Sequence, residues 1–109
     1  MHELSITQSI VDAVAGRTGG AQIAVVSLRI GKLAGIVPDS VRFCFELITV
    51  GTPLEGARLD IEEPAGQAHC RGCGHDFELS RLILLCPCGS ADVSVSDGHQ
   101  LDVISVQVR

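Results

Sequence analysis

Apolar positions along the chain change period several times, and each change marks an element. Over about residues 4–17, Ile6, Ile10, Ala13 and Val14 recur at three- and four-residue steps, and Leu4 and Val11 thicken the stripe. That is the repeat of an amphipathic helix. Ser5 with Gln8 fits a capping box near its start, and Gly16 followed by Gly19-Gly20 is expected to stop it. From about 22 to 31 the period shortens to two: Val26, Leu28 and Ile30 alternate with Ser27 and Arg29. Ile23 and Val25 sit on the opposite parity, so this strand is either covered on both faces or bulged. Gly31 and Gly35 then punctuate a loop.

Pro38 suits the first turn of a second helix, with Asp39 favoured near the positive end of its dipole. Val41, Cys44, Phe45 and Ile48 supply the stripe to be buried, and Gly51 with Pro53 closes the helix. Alternation returns at about 57–63 through Leu59 and Ile61, then at about 92–96 through Val93 and Val95, and at about 100–108 through Ile104, Val106 and Val108. Asp97-Gly98 is expected to turn the chain between the last two strands. With 109 residues, this amounts to one ordinary domain or a compact domain carrying a smaller module.

Composition adds two restrictions. There is no Trp or Tyr and only three Phe, so the core must be aliphatic. The formal net charge is −5, with Lys32 the single lysine and arginines scattered along the chain. Phosphate-backbone binders concentrate positive charge on one face, so nucleic acid is not the expected partner. No stretch has the roughly 18 consecutive apolar residues of a membrane span. The start, Met1-His2-Glu3-Leu4-Ser5, has neither the basic region nor the apolar run of a signal peptide. A cytoplasmic setting follows, where thiols stay reduced and clustered cysteines are read as metal ligands.

Four of the five cysteines lie close together, in Cys70-Arg71-Gly72-Cys73 and Cys86-Pro87-Cys88, with a glycine after each pair. Two close pairs on either side of a short strand-like segment describe a zinc ribbon, and four thiolates would close the coordination sphere and make the metal structural. From Pro64 to about residue 91 large apolar residues are few before Leu82-Ile83-Leu84-Leu85, as expected of a module stapled by metal. The second pair has a one-residue spacer, which shortens its chelate loop, so His69 or His75 is an alternative fourth ligand. A thioredoxin-like redox pair would need a strand-to-helix context that Cys70 lacks. Cys44, on the apolar stripe of the second helix, reads as a small core hydrophobe.

His2 is the other candidate ligand. The Met1 amine, the His2 backbone nitrogen and the His2 ring can close fused chelate rings on one ion, and nitrogen donors in a plane suit Ni(II) or Cu(II). Glu3 adds a backbone nitrogen or a carboxylate.

Taken together, Met1-His2-Glu3-Leu4, the run Ile30-Gly31-Lys32-Leu33-Ala34-Gly35-Ile36-Val37-Pro38, the run Val41-Arg42-Phe43-Cys44-Phe45-Glu46 and the paired cysteines resemble the HypA/HybF family of hydrogenase-maturation nickel metallochaperones. The resemblance covers nearly the whole chain; the one-residue spacer of Cys86-Pro87-Cys88 departs from it. It implies an α/β (α+β) fold in which a small mixed sheet flanked by two helices forms a nickel-binding domain, residues 1–65 plus 98–109, with a zinc-binding module inserted at 66–97. It implies nickel as cargo on Met1 and His2 with Glu3 assisting, and structural zinc on Cys70, Cys73, Cys86 and Cys88. The implied partners are a nickel-handling GTPase and the large subunit of a nickel–iron hydrogenase, urease being the client of some relatives, with the chain itself a monomer or a weak or swapped dimer. Two rivals carry no nickel: a zinc-ribbon interaction module, and a zinc hydrolase or deaminase. The enzyme would need an open zinc position and a general base beside it, and neither is evident.

Overall fold

The computed structural model describes residues 2–109 and contains two helices and six strands: α1 (Glu3–Thr18), β1 (Ile23–Ile30), α2 (Pro38–Ile48), β2 (Arg58–Glu62), β3 (Gly66–Cys70), β4 (Asp76–Leu79), β5 (Val93–Asp97) and β6 (Leu101–Val108). The strands form two three-stranded sheets, ordered β2-β1-β6 and β4-β3-β5. By its internal contacts the chain divides into two compact units. One holds residues up to Leu28, Ile36–Ile61 and Asp102–Arg109; the other holds Arg29–Gly35 and Glu62–Leu101.

In the first unit the helices bury part of the faces that their periodicity marks: of the expected α1 stripe Ile10, Val11 and Val14 are buried, Ile6 is half-buried, and Leu4 and Ala13 are exposed. Thr7, Ile10, Val11 and Val14 of α1 and Val41 and Phe45 of α2 are buried. They share an aliphatic core with Ile23, Val26, Leu28 and Leu54. β1 is buried at both parities, including Ile23, Val25, Val26 and Leu28, which is why its sequence does not alternate cleanly. Arg109 N–H donates to Gln22 and Gly31 N–H to Gln100, each at 2.9 Å, and these bonds bracket an antiparallel pairing of β1 with β6. On the other edge the bonds from Ile23 N–H to Pro53 and from Lys32 N–H to Pro64, also 2.9 Å, advance in the same sense. β2 therefore runs parallel to β1, α2 is the crossover between them, and the sheet is mixed.

Three local expectations change. The Ser5/Gln8 capping box is not formed: α1 begins at Glu3 after His2, Ser5 Oγ donates back to the His2 carbonyl at 3.1 Å, and Gln8 Nε2 donates to Asp12 at 2.9 Å. Gly16 lies inside the helix, which ends at Gly19 in the left-handed conformation (φ 61°). The turn at Asp97-Gly98 does not make a hairpin, because β5 pairs with β3 while β6 pairs with β1.

The second unit is built on β3, antiparallel to both β4 and β5. Its small core consists of Ala68 and Leu79, with Phe77 and Val95 partly buried, and Leu33 from the loop after β1. Leu33 is only 2% exposed. The loop is held by bonds from Lys32 N–H to Pro64 at 2.9 Å and from Leu33 N–H to Gly98 at 2.8 Å. Close backbone approach at this point requires glycine: a Cβ on Gly98 (φ 107°) would lie 2.6 Å from Gly66 Cα and 3.0 Å from Leu33 Cγ, and one on Gly31 would strike the Gly98 carbonyl.

Candidate metal centre

The four clustered cysteines are brought together by two tight loops of the same design. In the first, Cys70 ends β3, its N–H donates to the His75 carbonyl at 2.9 Å, and Gly74 N–H donates to the Cys70 carbonyl at 2.8 Å. In the second, Cys86 N–H donates to the Ser90 carbonyl at 2.9 Å and Gly89 N–H to the Cys86 carbonyl at 2.8 Å. Gly74 and Gly89 take φ of 77° and 96°, which only glycine adopts without strain. In each loop an amide of the second cysteine reaches the sulfur of the first: Cys73 N–H to Cys70 Sγ and Cys88 N–H to Cys86 Sγ, both 3.4 Å. The loop over Pro87 thus repeats the arrangement with one residue fewer. Arg71 ties the first loop to the strand that follows the second, its Nε donating to Asp92 Oδ1 at 2.7 Å and its N–H to the Asp92 carbonyl at 2.9 Å.

The four sulfurs lie within 4.8 Å of one another. Cys70 Sγ is 3.8 Å from Cys88 Sγ, and Cys73 Sγ is 3.6 Å from Cys86 Sγ. A tetrahedron with zinc–sulfur bonds of about 2.3 Å has edges of about 3.8 Å, so the four sulfurs are compatible with a structural zinc. Neither neighbouring histidine joins them: His69 Nδ1 is 2.6 Å from Asp76 Oδ1, and the His75 ring stacks on Phe77 with centroids 6.4 Å apart. Electrostatics point the same way. The Cys73 N–H aimed at Cys70 Sγ outweighs burial and draws that thiol down to about 6. At Cys86 the Cys88 N–H favours the thiolate, but burial and the surrounding sulfurs prevail and push the thiol up to about 12. Four thiolates this close repel one another, and a divalent cation among them removes the conflict.

At the other end, His2 is exposed and stands at the N-cap of α1, where its carbonyl accepts from Ile6 N–H at 2.9 Å while its ring makes no capping hydrogen bond. Glu3 is half-buried, and its Oε2 is 3.5 Å from the Val37 amide. Met1, the remaining expected nickel ligand, lies outside the described residues. Cys44 is half-buried and borders a shallow concavity with Glu3, Leu4, Asp39, Ser40 and Phe43, a position its place on the helical stripe did not reveal.

The pattern that describes HypA, "Hydrogenase/urease nickel incorporation, metallochaperone", matches residues 1–108. The chain belongs to the HypA family. It is 44% identical to the hydrogenase maturation factor HypA of a Nostoc species, over all of this chain and 96% of that one. It is 44% identical to the hydrogenase maturation factor HypA of Geobacter metallireducens over the full length of both. Among solved structures it resembles the nickel metallochaperone HypA from Helicobacter pylori, with a TM-score of 0.64 at 24% identity over 99% of this chain and 97% of that one, a likeness of fold. HypA-family membership makes the chain a metallochaperone of nickel incorporation, a maturation factor and not an enzyme. None of the described helices is long and apolar enough to cross a membrane.

Proposed function

We propose that the chain binds Ni(II) through the Met1 amine, the His2 backbone nitrogen and the His2 imidazole, with Glu3 assisting, and hands it to the large subunit of a nickel–iron hydrogenase in the cytoplasm. The observation that carries this reading is His2 itself: an exposed imidazole at the N-cap, not consumed in capping the helix it precedes. Planar nitrogen donors favour Ni(II), and an ion held on the exposed His2 imidazole can be loaded and released without opening a core. A GTPase of hydrogenase maturation is the proposed partner in transfer. The nickel-binding domain comprises 1–65 and 98–109. The zinc-binding domain comprises 66–97, with Cys70, Cys73, Cys86 and Cys88 holding a zinc whose role is to fold that segment, because metal binding supplies free energy that its few buried residues do not.

The test is nickel titration of the untagged protein alongside His2→Ala and a form extended ahead of Met1. Tight nickel binding is expected to be lost in His2→Ala and weakened by the extension, which turns the amine donor into an amide, with one zinc per chain retained in both. Native-like nickel binding in both altered proteins would move the site elsewhere, with His69, His75 and His99 the next donors to examine.

A further inference from the structure

The helix α2 carries two apolar stripes, and the fold uses one. Val41 and Phe45 are buried in the core, with Ile48 half-buried beside them. On another side, Phe43 and Leu47 stand 64% and 58% exposed, and Val50, just past the helix end, is 67% exposed. Their steps of four and three residues place them along one line of the helix surface. Leu4 on α1, 53% exposed, lines the same shallow concavity as Phe43, Cys44, Ser40, Asp39 and Glu3, with a volume of about 420 Å³. Singly exposed apolar residues need no explanation, but a contiguous row of large ones beside a concavity marks a contact surface.

The charges around the row decide what it contacts. Asp39 and Glu46, both exposed, lie one turn from Phe43 on the same side of α2, and Asp39 also lines the concavity. The nearest cation on the helix, Arg42, turns its guanidinium to the Leu59 carbonyl. The row is thus apolar with an acidic rim. A second copy brought face to face would set acid against acid, in a chain already at −5. We infer that this surface is a docking site for a partner protein's amphipathic helix, its apolar face on Phe43, Leu47 and Leu4 and its basic side chains against Asp39 and Glu46. The proposal rests on the nickel reading for its setting: Glu3 and Leu4 directly follow His2, so a helix seated here lies beside the proposed cargo site. Its energy is concentrated in Phe43 and Leu47, the central side chains.

The test uses the full chain and fluorescence anisotropy with two labelled synthetic helical peptides of about five turns, sharing one leucine face and flanked by arginines in one and glutamates in the other. The arginine peptide is expected to bind at least about ten-fold more tightly, and Phe43→Ser with Leu47→Ser to weaken it at least about ten-fold. Asp39→Lys with Glu46→Lys is expected to reverse the preference between peptides. Zinc content and helical circular dichroism establish that these surface variants are folded. Equal affinity for the two peptides, or arginine-peptide binding that survives Phe43→Ser with Leu47→Ser, overturns the proposal. Self-association of the wild-type protein that Phe43→Ser abolishes, seen in sedimentation, also overturns it and gives the face to a second copy. Nickel binding on the same samples separates the two readings: failure of the nickel proposal appears as unchanged nickel in His2→Ala, a substitution that leaves peptide binding untouched.

Discussion

Replacing Leu33 with alanine asks whether a loop residue holds the cysteine-bearing unit together. Leu33 is 2% exposed and packs on Ala68, Leu79, Phe77 and Val95, a core so small that it is one of three buried members. Truncation removes three carbons from an apolar site, at about 0.8 kcal/mol each for transfer alone, and leaves a cavity whose cost brings Leu→Ala changes to about 2–5 kcal/mol. The lower half of that range applies, because Phe77 and Val95 are only partly buried and can settle into the space. A loss of about 2–3 kcal/mol raises the open population of the unit about 30- to 150-fold. Hydrogen exchange read by mass spectrometry on peptides covering residues 66–79 and 93–97 measures this directly. Amides of β3, β4 and β5 should exchange about 30- to 150-fold faster, while those of α1 should not change. Leu33→Met, which conserves volume, should cost less than about 1.5 kcal/mol. Acceleration confined to residues 31–35 would show that the loop lies on the unit without supporting it, and would refute the reasoning.

Three further outcomes are expected. Gly98→Ala, which needs φ of 107° and places a Cβ 2.6 Å from Gly66 Cα, should destabilise by about 2–6 kcal/mol from backbone strain and overpacking together; Gly16→Ala, inside α1 with nothing within 4 Å of the new Cβ, should stabilise by about 0.5–1 kcal/mol, so thermal melts of the pair should move in opposite directions. Cys73→Ser and Cys86→Ser should each lose the zinc and the protection of β3–β5, with helical circular dichroism retained; full zinc content in both by elemental analysis would contradict the four-sulfur site. Nickel affinity should fall as pH is lowered, because protons compete with the metal for nitrogen donors, and an affinity that does not change with pH would remove the nitrogen ligands from the set.

Much of the fold is legible because periodicity reports what a local element buries. The helical stripe of Ile10, Val11 and Val14 and the mixed parity of β1 both reappear as burial. The cysteine pairs are legible because metal ligation demands spacing that chance rarely supplies. Leu33 was not: it sits between glycines with no period around it, and its partners Ala68 and Leu79 are far away in sequence. The outer stripe of α2 was hidden for a different reason, since Phe43 and Leu47 are interleaved with Val41 and Phe45 along the same helix and only packing separates the two sets. The expected capping box failed because a Ser-x-x-Gln pattern states what a helix start could use, while the N-cap itself is His2, three residues before Ser5. The Asp97-Gly98 turn was readable, but whether the strands on either side share a sheet depends on β3 and β1, which a local pattern does not see.

The order of strands in the first sheet has a consequence for how the chain is made. β1 lies between β2 and β6, and on one side its ladder is completed only by β6, which follows all three strands of the other sheet in sequence. During translation the second unit emerges in between, and its β3, β4 and β5 pair among near neighbours, so it can fold while β1 still presents an open, strongly apolar edge. Such non-local pairing slows the final step and leaves an edge exposed to other nascent chains. Expression slowed by low temperature, or a chaperone that covers extended apolar segments, should therefore raise the yield of folded protein more than any excess of zinc.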